Sequence, residues 1–395
     1  MGSHPGFVLT RLNHFGISPN RRLDNLGDRL ITRNMVSALA RYGKVGAYSP
    51  EFFALPIERY DPWIHSSRRH RLLARLRGGH HYLVNSTGGW GPIVRCEKVE
   101  TDAPAIVSRN PLQSVWRKWL DPRRIVLGFS VNISPDDSRF DKYYWIGARD
   151  NTSLESLQRR GLNQATYFPD WAFFDPLVKN SSGQRHGVAA SFRTRNPDQS
   201  RRLSTTDLHE SLRQLRHHFG EITFFHQVTE DADFEAQLHL ETPKSNHRSR
   251  ALDIDSYQQF YRRFPVVASN RLHCLLFGAM NGALPIALVD PGHTKIVSLY
   301  RTLRWHDLLV FLDDRGPDAL ANIVRNFDSL SRMVAQTCAT QRQVGEALLA
   351  SRFARGPHEA LRSPSSPSFP PANDESVSAP SKSLDWPHTT SGKQV

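Results

Sequence analysis

The stretch Val266-Val267-Ala268-Ser269-Asn270-Arg271-Leu272-His273-Cys274-Leu275-Leu276-Phe277-Gly278-Ala279-Met280-Asn281-Gly282-Ala283-Leu284-Pro285-Ile286-Ala287-Leu288-Val289-Asp290 decides how the rest of the chain is read. Its first apolar run predicts a short buried strand, followed by a tight turn that holds Arg271 and His273. An apolar helix then runs to Asn281-Gly282, two residues that tolerate a left-handed backbone and so stop a helix. Leu284 to Val289 predicts a second buried strand. Unbroken apolar runs on both sides of a helix suit parallel strands covered on both faces. In such sheets ligands sit outside the carboxyl ends of the strands, where the chain turns into a helix. A guanidinium and an imidazole at that turn, beside a helix N-terminus, suit an anion. A surface arginine and a structural histidine at an ordinary turn are the alternative.

Outward from this stretch the alternation continues. Tyr257, Phe260, Tyr261 and Phe264 mark a helix before it, and Lys295-Ile296-Val297-Ser298-Leu299 starts one after it. Leu320, Ile323, Phe327, Leu330 and Val334 predict one long helix running towards Ala350. Upstream, His186 to Phe192 predicts a strand ending at Arg193, and Leu208, Leu212, Leu215 and Phe219 line a helix closed by Gly220. Ile222 to Val228 predicts a strand, and Phe234 with Leu238 a short helix. The N-terminal part repeats the pattern, with strands expected at 6–10, 81–85, 124–130 and 143–150. Asn25-Leu26-Gly27-Asp28 opens a helix that Gly43 can stop, and Asp28 at such a place is often a helix cap. Asp150 or Ser153 caps a helix ended by Gly161, and Ala165 to Phe173 predicts a strand with its exit turn.

This alternation predicts α/β architecture with parallel sheets. Lys179 to Gln184 is polar and contains glycine, as a linker between two halves would. The expected division is therefore an N-terminal half over 1–178, a C-terminal half over 186–355, and a Ser- and Pro-rich, disordered tail over 356–395. A cleft between the halves is the expected ligand site.

Composition narrows the function classes. With 395 residues, 39% of them hydrophobic, and a mean hydropathy of -0.49, the chain reads as a soluble globular protein with room for two cores. Its first residues show no secretory signal, and Gly2 alone makes no case for myristoylation. Cys96, Cys274 and Cys338 match no zinc or redox spacing, which fits a reduced, cytoplasmic setting, and no metal cluster is expected. The formal charge of +13 favours anionic partners, whether nucleic acid, anionic lipid or phosphorylated small molecules. No zinc-finger, ribonucleoprotein or heptad signature points to nucleic acid.

Four stretches together resemble the polysaccharide pyruvyl transferase family. They are Asn25-Leu26-Gly27-Asp28, Arg149-Asp150 with Ser153 and Gly161, Pro169-Asp170-Trp171-Ala172-Phe173, and Arg271-Leu272-His273 leading to Gly282-Ala283-Leu284-Pro285-Ile286. Lys295 stands where the family usually has a lysine after the last strand, and the resemblance covers residues 6–301. It implies two Rossmann-like domains in a GT-B-like arrangement with a central cleft. It also implies transfer of a pyruvyl group from phosphoenolpyruvate to two hydroxyls of a sugar, as a cyclic ketal, in exopolysaccharide biosynthesis. By this resemblance Asp28, Arg149, Arg271 and His273 fall on the donor-binding and catalytic positions, with Leu272 beside them. The family's glycine triplet appears here as Thr87-Gly88-Gly89-Trp90, and the segment Leu127-Gly128-Phe129-Ser130 lacks the usual glutamine. Both departures lie in the half expected to hold the acceptor, to which Asn25, Gly27, Asp28, Gly88 and Gly89 are assigned.

The chemistry agrees from its own side. Phosphoenolpyruvate carries a phosphate and a carboxylate, and guanidinium forks suit both, so Arg149 and Arg271 are assigned to them in either pairing. His273 is the natural proton carrier to the methylene carbon. Asp28 either accepts the acceptor's proton or holds the sugar. Arg193 and Lys295 are second candidates for the departing phosphate. No cofactor beyond the co-substrate is expected. The acceptor is a sugar, either free or lipid-linked, and the basic surface suits transient docking at the inner membrane face. The alternatives are a GT-B-type glycosyltransferase using a nucleotide sugar, and a non-catalytic protein binding anionic glycans.

Overall fold

The computed structural model describes residues 13–18, 25–47, 58–59, 72, 80–85, 89–90, 122–131, 138–177, 184–193, 205–290, 292–313 and 315–354. Among these, all strand pairings are parallel. The first sheet runs β3 (Glu58–Arg59), β2 (Gly43–Ala47), β1 (Asn13–Ser18), β4 (His81–Asn85), β6 (Arg123–Val131), β7 (Tyr143–Ala148) and β8 (Ala165–Tyr167). A short β5 (Gly89–Trp90) pairs with β6 off this path. The second sheet runs β11 (Ser245–His247), β10 (Ile222–Phe224), β9 (Val188–Ser191), β12 (Val266–Ser269), β13 (Leu284–Val289) and β14 (Leu309–Phe311). Each sheet grows outward from its first strand and then returns to that strand's other side, so β1 neighbours β4 and β9 neighbours β12. Loops leaving the two strands at such a reversal diverge and open a crevice at the carboxyl edge.

Nine helices are described: α1 (Leu26–Leu39), α2 (Asn151–Arg159), α3 (Thr205–Phe219), α4 (Ala232–Glu241), α5 (Tyr257–Tyr261), α6 (Leu272–Met280), α7 (Thr294–Thr302), α8 (Gly316–Arg325) and α9 (Phe327–Phe353). The central expectation holds: β12, α6 and β13 form one unit of strand, helix and parallel strand, with Val266 opposite Leu284. Every residue of α6 from Cys274 to Met280 is buried, as its apolar sequence requires. Gly282 ends that helix with φ at +82°, a conformation that side chains disfavour, and its N–H donates to the Ala279 carbonyl at 2.9 Å.

Other expectations are corrected. The strand expected at 6–10 lies outside the described residues, and the first described strand is instead β1, within what had read as loop. Gly43 begins β2 rather than ending α1, which stops at Leu39. The single long helix after Gly316 is two, α8 and α9. The break falls at Asn326, whose side-chain nitrogen bonds back to the Asn322 carbonyl at 3.0 Å while the backbone leaves the helical region. The linker expected at 179–184 lies outside the described residues up to 183, and the tail over 356–395 lies outside them altogether.

One apolar cluster runs from Phe15 and Ile17 through Trp171 and Phe173 to Val267 and Leu288, so the two sheets share a continuous core. Helix α9 closes it by returning to the first sheet. Phe353 packs edge-on against Phe15 and Tyr82, with centroids at 5.0 and 5.1 Å. Arg41 pairs with Glu346 at 3.1 Å on the surface above.

Candidate active site

The site is built from the turn between β12 and α6. Ser269 ends the strand and its Oγ accepts the Arg271 N–H at 2.9 Å while donating to the Ser191 carbonyl on β9. Asn270 clasps the second residue after β9 in both directions: its Oδ1 accepts the Arg193 N–H and its Nδ2 donates to the Arg193 carbonyl, each at 2.9 Å. The two exits that define the switch point of the second sheet are thus tied together. Arg271 precedes α6 with an extended backbone and leaves the first helical N–H groups without a side-chain cap. Its Nη2 pairs with the Asp231 carboxylate, and its buried Nε makes no hydrogen bond. Burial raises the Asp231 pKa, with the Arg271 charge opposing it. Behind this pair Glu235 is fully buried, and burial pushes its carboxyl well above the usual range. Its Oε1 accepts from Ser191 Oγ at 2.8 Å and from the Phe192 N–H at 2.9 Å, which fixes the end of β9.

His273 sits in the first turn of α6, where the other half of the molecule meets it. A Cβ on Gly27 would lie 2.7 Å from His273 Nδ1 and 2.8 Å from its Cβ, so only glycine admits this approach. Asn25, not Asp28, caps α1: its Oδ1 accepts the Gly27 N–H at 2.9 Å. Its Nδ2 donates to Asp28 Oδ2 at 3.0 Å, which orients that carboxylate on the first turn. The Leu26 N–H donates to the Gln227 carbonyl at 3.1 Å, a backbone bond between the halves at the same edge. His273 Nε2 lies 3.8 Å from Asp170 Oδ2, in an ion-pair contact too long for a hydrogen bond.

Asp170 belongs to the turn after β8 and caps the 3-10 turn Trp171–Phe174. Its Oδ2 accepts from Arg149 Nη1 at 2.6 Å and its Oδ1 accepts the Ala172 N–H at 2.8 Å. Burial alone would raise its pKa, but Arg149, then His273 and the Ala172 N–H, outweigh it and hold the carboxyl at about 2. Arg149 is held from behind by Ser130 Oγ at 2.8 Å, and Ser130 in turn donates to Asp150 at 2.6 Å.

Arg149 lies beneath these groups: its guanidinium is 2% exposed and engaged by Asp170 and Ser130. Arg193 acts electrostatically on both Asp231 and His293, which gathers it with Arg271 at the carboxyl edge of the second sheet. Lys295, in the first turn of α7, acts on His293 as well. Leu272 packs its side chain on the core beside this edge. Gly89 lies on β5 opposite Ser130, at the carboxyl end of the first sheet, and Gly88 lies outside the described residues. The structure therefore brings Asn25, Gly27 and Asp28 to Leu272 and His273, with Arg271, Arg193 and Lys295 alongside.

Sequence reasoning missed Asp231, Glu235 and His293, and gave Asp170 no role. Asp231 and Glu235 stand among acids at the start of α4, where carboxylates usually serve the helix dipole, so nothing marked them. His293 precedes α7, is 3% exposed, and is pushed down to about 4 by burial and by the Arg193 and Lys295 charges. It is neutral at neutral pH. Among the described residues no three His, Cys, Asp or Glu side chains are grouped as metal ligands would be.

A model of the polysaccharide pyruvyl transferase family matches residues 25–288, which includes all four site stretches. No curated protein matches the chain significantly. Among solved structures the chain is similar to a glycosyltransferase from Rickettsia africae, at 12% identity and a TM-score of 0.53, over 90% of this chain and 100% of that one. It is similar to Anabaena HepE in complex with UDP and glucose, at 10% identity and a TM-score of 0.50, over 89% and 100%. It is also similar to S. aureus MnaA with UDP, at 9% identity and a TM-score of 0.50, over 89% and 97%. These likenesses show a GT-B-like fold.

Proposed function

The chain belongs to the polysaccharide pyruvyl transferase family, and from that premise we propose that it moves a pyruvyl group from phosphoenolpyruvate onto two hydroxyls of a sugar in a cell-surface glycan. The observation that carries this reading is the meeting of His273, two residues after Arg271 at the switch point of the second sheet, with the Asn25–Asp28 turn of the first. His273 gives a proton to the methylene carbon, leaving electron deficiency at the central carbon. The first sugar hydroxyl adds there and loses its proton, with Asp28 as the nearest oriented carboxylate on the acceptor side. Phosphate then leaves with the C–O bonding pair, and the second hydroxyl closes the ketal as its proton departs. Arg271 holds an anionic group of the donor through the N–H groups that Asp231 leaves, and Arg193 and Lys295 stabilise the departing phosphate. Phosphoenolpyruvate is the only co-substrate in this scheme, and the acceptor is a free or lipid-linked glycan. The excess of basic residues suits work at the anionic cytoplasmic face of a membrane. No described helix is long and apolar enough to cross one.

A thermal-shift series tests the donor. Phosphoenolpyruvate should raise the melting temperature of the wild type and not of Arg271→Ala, because a ligand stabilises only the state that binds it. A rise with UDP- or GDP-sugars alone would replace this reading with nucleotide-sugar glycosyl transfer.

A further inference from the structure

We propose that Asp170 is a positioning residue for His273: a carboxylate delivered by the first half of the molecule that holds the imidazole of the second half oriented for proton transfer. Three observations carry it. Asp170 Oδ2 is 3.8 Å from His273 Nε2, and that nitrogen is buried without a hydrogen-bond partner. Asp170 is 1% exposed, so its charge acts through little water. Its own position is fixed by a chain of short contacts, from Asp150 through Ser130 and Arg149, that ends on the same Oδ2. The carboxyl stays ionised under this arrangement and takes no proton from the ring, so its effect is electrostatic and geometric. The Oδ2–Nε2 separation is one that a bound donor can shorten to a hydrogen bond, as apo geometries often require.

The charged and titratable groups around His273 come from each packed element. The turn after β8 brings Asp170, with Arg149 from the end of β7 behind it. Helix α1 brings Asp28, next to Gly27. On either side in sequence stand Arg271 and Cys274. Of these Asp170 forms an ion pair with the ring. Arg149 pairs with that carboxylate from behind, so the two are removed together in one arm of the test.

The meaning of the inference rests on His273 as proton carrier, but its first readout does not use activity. The ring signals of His273, assigned among 18 histidines by their loss in His273→Gln, are followed by NMR against pH. Asp170→Asn should move the His273 titration to lower pH than in the wild type. Asp170→Asn leaves Arg149 buried and unpaired and can fail to fold, so Asp170→Asn/Arg149→Met, which removes the whole pair, stands in for it with a smaller downward shift, since loss of the guanidinium opposes loss of the carboxylate. An unmoved or raised titration in whichever of these variants folds overturns the proposal. The alkaline limb of acceptor-dependent phosphate release should move with the NMR midpoint. Should the midpoint move while that limb stays, the pairing stands and the proton-carrier reading of His273 fails.

Discussion

Substituting Gly27 by alanine puts one methyl group where the two halves touch. Its Cβ would lie 2.7 Å from His273 Nδ1, 2.8 Å from its Cβ and 3.0 Å from its Cγ. Unstrained carbon contacts are about 3.5–4.0 Å, so the pair must part by roughly 0.5–1 Å. The ring cannot yield by rotation alone, because the root of the side chain is among the offended atoms. The first turn of α1 must therefore recede from α6, against the Leu26–Gln227 backbone bond at 3.1 Å. Overpacking of this kind costs about 1–3 kcal/mol of stability. The larger effect is on geometry: His273 and Asp28 lie on opposite sides of the contact, and a displacement near 1 Å costs a rate on the order of 100-fold. In an assay of acceptor-dependent phosphate release, Gly27→Ala should lose about that much kcat. The KM for phosphoenolpyruvate should change by only a few-fold, since Arg271 keeps its Asp231 partner. A folded Gly27→Ala protein with wild-type kcat would refute the claim that this approach sets the reacting groups.

Three further outcomes follow from the same geometry. His273→Gln should lose about 100- to 10,000-fold in kcat while the melting temperature still rises with phosphoenolpyruvate, which separates proton transfer from donor binding. Gly278→Ala should lower the melting temperature without touching the site, because its Cβ would fall 2.3 Å from Val267 Cγ1; circular dichroism checks this against an expected loss of about 1–3 kcal/mol. His293 is held neutral, with a pKa of about 4 against 6.5 unfolded, so the unfolded chain alone binds a proton between those values. Its contribution to stability is full above pH 6.5 and falls by about 3 kcal/mol as the pH drops to 4. Melting curves over that window should be flatter for His293→Phe than for the wild type.

What was legible in the sequence was what apolar patterning and chain-stopping residues encode. The run from Val266 to Asp290 gave strand, helix and strand because its apolar residues are continuous and Gly282 can adopt a positive φ. The same signal failed where strands are short or edge-placed: β2, β11 and β14 hold only three to five residues and little apolar alternation. Asn326 hid inside a helical pattern because its side-chain bonds to Asn322 accompany a break in the helix that leaves the periodicity intact. In the site, residue type and motif order pointed to Asp28, Arg271 and His273, which the fold does bring to one edge. The burial of Arg149 was not legible, since nothing local says that a guanidinium 21 positions from Asp170 will be packed against it. Asp170, Asp231, Glu235 and His293 likewise draw their character from burial and from neighbours distant in sequence.

The measurement that tests pyruvyl transfer most directly is to follow the label from phosphoenolpyruvate carrying carbon-13 at its methylene carbon. The protein is incubated with this donor and the glycan fraction of its source cells, and the products are read by NMR together with released phosphate. The account predicts a labelled ketal methyl group on the glycan, matched one for one by phosphate, and absent with His273→Gln. An unlabelled glycan that instead gains a sugar from a UDP- or GDP-sugar, with release of the nucleotide, would contradict it.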